Sequence, residues 1–121
     1  MSTPKRGYVE VEFRSQDVTL RGRFCHGSQQ LSGPAVIQAP GSTATVSGMV
    51  ADRYAEAFAA AGFQVLLFDH HGFGRSDGEP RQEIEPWQQT RGYLAAVSYM
   101  RSRVDVDAER IALWGVSSSA A

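Results

Sequence analysis

The sequence predicts an α/β fold in which an antiparallel amino-terminal hairpin precedes a parallel β-α-β-α-β unit. Two apolar patterns predict this order: residues 8–24 alternate apolar and polar side chains, whereas three later runs are short and continuously apolar. Alternation is typical of paired strands with one face in water, and continuous runs are typical of parallel strands buried on both faces. A chain of 121 residues can bury one core but not two, so we expect one small domain or part of a larger one and not a two-domain enzyme.

The strands follow from these patterns in chain order. The hairpin is predicted over residues 8–24 with its turn at residues 15–17, because the apolar positions have period two on both sides of that polar segment. The buried strands are predicted at residues 35–39, 63–68 and 111–114. These three runs stop at Pro40, Asp69 and Gly115, which are residue types that favour turns.

Two helices are predicted between the buried strands. In the first, Gly62 is placed to cap the carboxyl end, and the apolar positions at helical spacing are Val50, Tyr54, Phe58 and Ala61. The second begins at Pro86 and contains Gly92, and the positions predicted to form its apolar stripe are Leu94, Val97, Met100 and Val104. Each helical connection is long enough to join two parallel strands.

Composition and charge exclude several classes of function. Twelve Lys and Arg against 13 Asp and Glu leave a net charge of -1, so no basic excess attracts nucleic acid or anionic lipid. Residues 1–6 are polar and no apolar run reaches the length of a membrane span, which predicts a soluble, cytoplasmic protein without a signal peptide. Cys25 is the single cysteine and can form no intrachain disulfide. Cys25 and His26 are too few ligands for a zinc site, so no metal is predicted.

The segment after the last strand carries the first candidate for chemistry. A serine on a sharp strand-to-helix turn needs small residues two positions before and after it, because the turn brings their backbones together. Ser117 meets this requirement, with Gly115 before it and Ser119 after it. Ser119 ranks second as the nucleophile and Ser118 last, because the bulky Val116 lies two positions before Ser118. The alternative is a serine-rich helix start, in which hydroxyl groups cap backbone N–H groups.

Two upstream segments complete a pattern. Residues 69–76 read D-H-H-G-F-G-R-S directly after the second buried strand, and residues 39–43 read A-P-G-S-T directly after the first. With the turn at Ser117, this chain resembles the α/β-hydrolase superfamily over about residues 9–121. It is most similar to the branch of dienelactone-hydrolase-like, X-Pro-dipeptidyl-peptidase-like and polyketide-transferase-like proteins, in which G-E-P-R-Q-E-I-x-P-W, here residues 78–87, is a familiar continuation.

The resemblance implies a serine hydrolase or acyl transferase that acts on ester, thioester, lactone or amide bonds of a small molecule, without a cofactor. Ser117 would be the nucleophile at an elbow formed with Gly115 and Ser119. The backbone N–H groups of Ser118 and of Ser42 or Thr43 would form the oxyanion hole. The loop residues with a structural role would be Asp69, Gly72, Gly74 and Arg75.

Two other interpretations of the glycine and histidine segments carry less weight. A nucleotide-binding module needs a third glycine where Asp77 stands, or a Gly-Lys-Ser/Thr sequence between Gly41 and Gly48, and the chain has neither. His70 or His71 could act as a base on Ser117 only across two strand spacings, roughly 9 to 10 Å. Both histidines are therefore interpreted as residues that shape the loop.

The chain is expected to be the amino-terminal portion of one α/β-hydrolase domain. In this fold the triad runs in the order Ser, then Asp or Glu, then His, and four residues follow Ser117. The acid and the base are then missing, which leaves a piece of a longer enzyme and a non-catalytic truncated product as alternatives. In either case we expect the strand that ends at Trp114 to be an exposed sheet edge prone to self-association, with Ile111 and Leu113 facing water.

Overall fold

A computed structural model describes residues 8–27, 33–38, 49–70, 76–78 and 86–114. These residues form one sheet of five strands and two helices. The elements in chain order are β1 (Tyr8–Ser15), β2 (Val18–Cys25), β3 (Gly33–Gln38), α1 (Met49–Ala60), β4 (Gln64–Phe68), α2 (Pro86–Ser102) and β5 (Val106–Trp114). The predicted α/β order of a hairpin followed by β-α-β-α-β is confirmed.

The hairpin joins β1 and β2 in antiparallel register. Ser15 pairs with Val18, so the turn consists of two residues rather than the predicted three. Gln16 has a φ of 58°, in the left-handed region that tight hairpin turns require. Phe13 and Leu20 face each other across the strands and are both buried, which confirms the apolar face of the alternation.

The strand order β1-β2-β4-β3-β5 places the parallel strands side by side. β4 pairs antiparallel with β2 and parallel with β3, and β3 pairs parallel with β5. Because successive residues of a strand point to opposite faces, β4 contributes Leu66 and Phe68 to one core cluster and Val65 and Leu67 to another. The predicted parallel unit therefore has a core on each face.

Each helix covers one of these faces. Ala96 and Met100 of α2 join the first cluster, and Ala55 of α1 joins the second. The buried residues of the first cluster are Phe13, Leu20, Phe24, Ala35, Ile37, Leu66, Phe68, Ala96, Met100 and Val106. The sheet is thus the middle layer of three, as expected when helices connect parallel strands.

Gly62 ends α1 as predicted. Its φ is 103°, a conformation that favours glycine. The N–H of Gly62 donates to the carbonyl oxygen of Ala59 at 3.0 Å, and the N–H of Phe63 donates to that of Phe58 at 3.1 Å. This pair of bonds is a Schellman cap, which turns the chain sharply into β4.

The predicted apolar stripe of α2 was wrong in two positions. Leu94 is 62% exposed, and Val104, which lies beyond the end of the helix, is 95% exposed. The face that packs on the sheet instead contains Gly92, Ala96 and Met100. Glycine and alanine contribute little apolar signal to a sequence pattern, yet they let a helix backbone lie close to a sheet. A Cβ at position 92 would lie 3.3 Å from the Leu20 side chain.

β5 begins five residues earlier than predicted. Val106 is buried and pairs with Gly33, and the register then shifts before Ile111 pairs with Ala35. The first part of β5 contains charged residues between Val106 and Ile111, so it has no continuous apolar run from which a strand could be predicted. At the other end of β5, Leu113 is 56% exposed, as predicted. Ile111 was also predicted to face water, but it is partly buried against the first core cluster.

Candidate functional site

The three parallel strands end at one edge of the sheet. Gln38, the last residue of β3, pairs with Leu67 near the end of β4 and with Trp114 at the end of β5. The segments that follow β3, β4 and β5 therefore start side by side at this carboxyl edge. Ligand sites of open α/β sheets lie at such an edge, where groups from several loops can converge.

Most predicted site residues lie in those segments, outside the described residues. This holds for the nucleophile and elbow positions, the oxyanion positions and most of the loop: Ser42, Thr43, Gly72, Gly74, Arg75, Gly115, Ser117, Ser118 and Ser119. Asp69 is described and is 1% exposed. The structure thus describes β3, β4 and β5, the strands that precede these segments in the chain.

A buried serine fastens the segment after β4 to the neighbouring strand. The Ser76 hydroxyl donates to the carbonyl oxygen of Asp69 at 2.6 Å and accepts from the N–H of Arg21 at 2.8 Å. The N–H of Asp69 donates to the carbonyl oxygen of Arg21 at 3.0 Å, and the N–H of Asp77 donates to that of Thr19 at 2.9 Å. Ser76 is 1% exposed. These bonds extend the pairing between β2 and β4 past the end of the strand.

The role of Ser76 was not predicted from the sequence, although Ser76 ends the segment D-H-H-G-F-G-R-S. A serine seven residues after an aspartate is one signal that could have indicated this role, since a tight glycine loop leaves backbone groups that need partners.

The Arg21 side chain adds bonds to Asp77 at 2.6 Å and to Glu12 at 3.2 Å on the surface beside Ser76. Hydrogen bonds with Asp77 and then Glu12 raise the pKa of Arg21 above its ordinary value.

His70 lies at the carboxyl edge within an aromatic group. Its ring is 1% exposed and meets Phe68 at 5.7 Å and Tyr93 at 5.2 Å, both edge to face. The Tyr93 hydroxyl lies 3.4 Å from His70 Nε2, and burial raises the pKa of Tyr93. β3 separates β4 from β5, so His70 and the segment after Trp114 start two strands apart. His71 lies outside the described residues.

A polar cluster that sequence analysis did not predict lies at the opposite, amino edge of the parallel strands. Gln64 is fully buried at the start of β4; its side-chain amide donates to the carbonyl oxygen of Asp105 at 2.6 Å and accepts from the N–H of Gly27. His26 Nδ1 lies 2.8 Å from the carbonyl oxygen of Gly27. The cluster ties the end of β2 and the start of β4 to the turn before β5.

Arg103 and Asp105 complete this amino-edge cluster. Arg103 donates to both carboxylate oxygens of Asp105, at 2.8 and 3.0 Å, and its guanidinium lies 3.7 Å from the centre of the Phe24 ring. Hydrogen bonds from Arg103 hold the pKa of Asp105 below its ordinary value of 3.8. Among the described residues, no group of three or more His, Cys, Asp and Glu side chains could hold a metal ion.

We expect Asp105→Asn to destabilise the protein by about 2 kcal/mol at neutral pH, the scale of hydrogen bonds to a charged group. The folded-state pKa of Asp105 is lowered, so its contribution to stability is present above pH 3.8 and is lost as the pH falls below that value. Thermal unfolding of the wild type and of Asp105→Asn should therefore converge on acidification.

Asp107→Asn is the matched control for this prediction. Asp107 pairs with Arg110 at 2.9 Å, and its pKa is also lowered, but the Arg110 side chain is 66% exposed. Exposed ion pairs contribute little to stability. Equal losses of melting temperature in the two variants at neutral pH would contradict a special role for the amino-edge cluster.

Comparison with known families decides the identity of the fold. Residues 35–118 match the family described as serine aminopeptidase, S33 (Hydrolase_4), so the match covers more than half of the chain. The chain belongs to this α/β-hydrolase family. The predicted family resemblance is confirmed, and the five strands form an incomplete α/β-hydrolase sheet.

The S33 α/β-hydrolase chain has curated relatives over nearly its whole length. It is 43% identical to thiohydrolase aneE of Aspergillus aculeatus, over 97% of this chain and 36% of that protein. It is 39% identical to acyltransferase drtE of Aspergillus calidoustus, over 93% of this chain and 36% of that protein. The chain thus spans about a third of the length of the curated relatives it matches.

A solved structure supports the same assignment. The α/β hydrolase GrgF from Penicillium sp. sh18 superimposes with a TM-score of 0.82 and 37% sequence identity, over 90% of this chain and 37% of that one. The chain therefore shares its fold with part of a longer α/β-hydrolase chain.

Proposed function

We propose that residues 1–121 are the amino-terminal third of a larger enzyme, here called the parent protein, that transfers acyl groups through a serine nucleophile. The parent protein would hydrolyse or transfer the acyl group of an ester, thioester, lactone or amide. The observation that carries this proposal is the common carboxyl edge of β3, β4 and β5, because the three predicted motif segments all start there. The thiohydrolase and acyltransferase names of the relatives favour a thioester among these bonds.

In the proposed reaction Ser117 Oγ attacks the carbonyl carbon and gives up its proton to a histidine from the part of the parent protein beyond residue 121. The N–H of Ser118 and that of Ser42 or Thr43 hold the developing oxyanion. The C–S, C–O or C–N bond then breaks, and the histidine returns the proton to the departing thiol, alcohol or amine. Water or an acceptor alcohol then attacks the carbonyl carbon of the acyl-serine, and the histidine moves the proton from this acceptor to Ser117 Oγ as the acyl bond breaks. With water the enzyme is a hydrolase, and with an alcohol it is a transferase.

Asp69, Gly72, Gly74 and Arg75 are proposed to shape the loop beside this site rather than to react. Support comes from the bonds of Ser76, which secure the far end of the same loop to β2 through the backbone of Asp69 and Arg21. These bonds involve the residues on either side of the loop, Asp69 and Ser76, which is what a structural role for the segment requires.

The substrate is a small acylated molecule rather than a nucleic acid, as the net charge of -1 and the hydrolase family both favour. Within the described residues neither helix is long and apolar enough to cross a bilayer. We place the protein in the cytoplasm, where the buried thiol of Cys25 would stay reduced.

Pre-steady-state kinetics test the proposed function. A serine acyl-enzyme predicts a burst of thiol release when the parent protein meets an acyl thioester such as an N-acetylcysteamine thioester, followed by slower turnover. Addition of an alcohol acceptor should change the product from acid to ester if the enzyme is a transferase. Absence of turnover on thioesters, esters, lactones and amides alike would overturn the proposal.

The 121-residue chain alone is expected to self-associate and to be inactive on activated esters. In the described sheet β5 pairs with β3 and forms one edge, and Leu113 on this strand is 56% exposed. An unpaired apolar edge favours pairing with a second copy. Light scattering should report oligomers or insoluble protein, and Leu113→Lys should shift the chain toward monomer.

Val104→Lys is the control for this edge variant. Val104 is more exposed than Leu113, at 95%, but it lies in the turn before β5. If the two lysine variants reduce association equally, general surface polarity and not the β5 edge controls solubility. A monomeric chain with turnover that depends on Ser117 would show that the chain is catalytically complete.

A further inference from the structure

A row of aromatic rings joins the end of β5 to α1. The ring of Trp114, the last residue of β5, lies 4.6 Å from that of Tyr54 and 5.3 Å from that of Phe58, measured between centroids. Phe58 in turn meets Phe63 edge to face at 6.2 Å. Tyr54 and Phe63 thus occupy the two ends of this row. Trp114, at the carboxyl edge of β5, lies between Tyr54 and Phe58.

The row joins β5, which directly precedes one of the proposed oxyanion segments, to α1, which follows the other in the chain. Trp114 directly precedes the predicted elbow at residues 115–119, and Tyr54 lies five residues into the helix that follows Ser42 and Thr43. Backbone pairing sets β5 beside β3, since Gln38 pairs with Trp114. α1, by contrast, lies on the face of the sheet and reaches β5 through the rings of Tyr54 and Phe58.

We propose that Trp114 and Tyr54 are positioning residues, an inference that rests on the proposed acyl-transfer function. Their ring contact fixes α1, and with it the start of the helix after the first loop, relative to the strand that carries Ser117. Two oxyanion donors from separate segments stabilise a transition state only if both reach the same oxygen within hydrogen-bond distance. A displacement of about 1 Å in such a site can cost about 10²-fold in rate.

Leucine substitutions in the parent protein test this role. Trp114→Leu and Tyr54→Leu should each lower kcat by about 10-fold or more with little change in KM, because the lost alignment affects the transition state and not substrate binding. The double variant should be no slower than the slower single variant, since both substitutions break the same contact between Trp114 and Tyr54. Trp114→Phe should restore most of kcat because it keeps a ring at the end of β5.

Phe63→Leu is the matched control. The substitution removes a ring from the same row. Phe63 touches Phe58 but lies at the end of the row away from the predicted elbow. It should lower the melting temperature at least as much as Tyr54→Leu, because Phe63 packs against the second core cluster, and leave kcat unchanged. If Trp114→Leu does not fold, Tyr54→Leu decides the question, because Tyr54 is 40% exposed and its ring can be removed with less damage to the core.

The outcomes separate this inference from the function on which it rests. Loss of turnover in Ser117→Ala together with unchanged kcat in the Tyr54 and Trp114 variants would overturn the positioning role alone. Additive losses in the double variant would also overturn it, because the two residues would then act independently. Full turnover in Ser117→Ala would overturn the proposed function, and the positioning role with it.

Discussion

Substitution of Ser117 by alanine in the parent protein should reduce kcat by about 10⁶-fold, the loss seen when a triad nucleophile is removed. The hydroxyl of Ser117 is proposed to form the acyl bond, and alanine has no group that could form it. Residual turnover would come from the oxyanion donors and from substrate binding, which persist without the nucleophile. Steady-state assay with a thioester substrate measures this effect, and an unchanged melting temperature excludes misfolding as its cause.

The neighbouring serines are matched controls for this loss. Ser119→Ala keeps a small residue two positions after Ser117, as the turn requires, and should keep kcat within a few-fold of wild type. Ser118→Ala keeps the backbone N–H that is proposed to hold the oxyanion, so it should also remain active. A variant of Ser119 or Ser118 that loses as much turnover as Ser117→Ala would show that the nucleophile has been assigned to the wrong serine.

Gly22→Ala should destabilise the fold by about 3 kcal/mol, a large share of the stability of a typical domain. Gly22 lies in β2 between Val11 and Phe68, and a Cβ there would lie 2.7 Å from the Cα of Phe68 and closer still to the carbonyl oxygen of Leu67. These are backbone atoms of β4, which cannot turn aside as a flexible side chain can. Urea unfolding should show a lower midpoint with an unchanged slope.

Gly92→Ala is the control for this substitution. The new Cβ would meet the side chain of Leu20 at 3.3 Å and that of Phe68 at 3.7 Å, and side chains can adjust. Alanine also favours a helix over glycine by about 1 kcal/mol. We expect the free energy of unfolding of Gly92→Ala to stay within about 1 kcal/mol of wild type. If Gly92→Ala were as unstable as Gly22→Ala, the contact between α2 and the sheet would be as intolerant of an added methyl group as the contact between β2 and β4.

The elements with strong patterns could be predicted from sequence alone. The alternation around Phe13 and Leu20 gave the hairpin, and the short apolar runs gave β3 and β4 to within two residues. Pro86 and Gly62 marked a helix start and a helix end, because proline and glycine have local conformational requirements that do not depend on the rest of the fold. These signals are local, so they survive in a single sequence.

The features that were missed depend on contacts between distant segments. Small residues such as Ala96 form the buried face of α2 because the sheet lies close to it, which no helical pattern of large apolar side chains reveals. Gln64 is buried because its amide finds partners at Gly27 and Asp105, far away in sequence. A polar residue with distant partners cannot be distinguished from a surface residue by its neighbours in the chain.

The features of the candidate site also fall into two groups, those indicated by local sequence patterns and those that depend on contacts between distant segments. The turn around Ser117 and the glycine loop after Asp69 lie outside the described residues and stay predictions, made because tight turns restrict residue types at fixed spacing. The bonds of Ser76 to β2 and the contact of Trp114 with Tyr54 required the strand order and the helix placement. Their partners come from other elements, and only the fold brings them together.

The most direct test of the account is to identify the residue that becomes covalently modified. The parent protein is treated with a fluorophosphonate, which reacts with activated serine nucleophiles, and the adduct is located by peptide mass spectrometry. We predict a single adduct on Ser117 that is absent from Ser117→Ala and present in Ser119→Ala. An adduct on another residue, or labelling that Ser117→Ala leaves unchanged, would contradict the proposal that this chain carries the nucleophile.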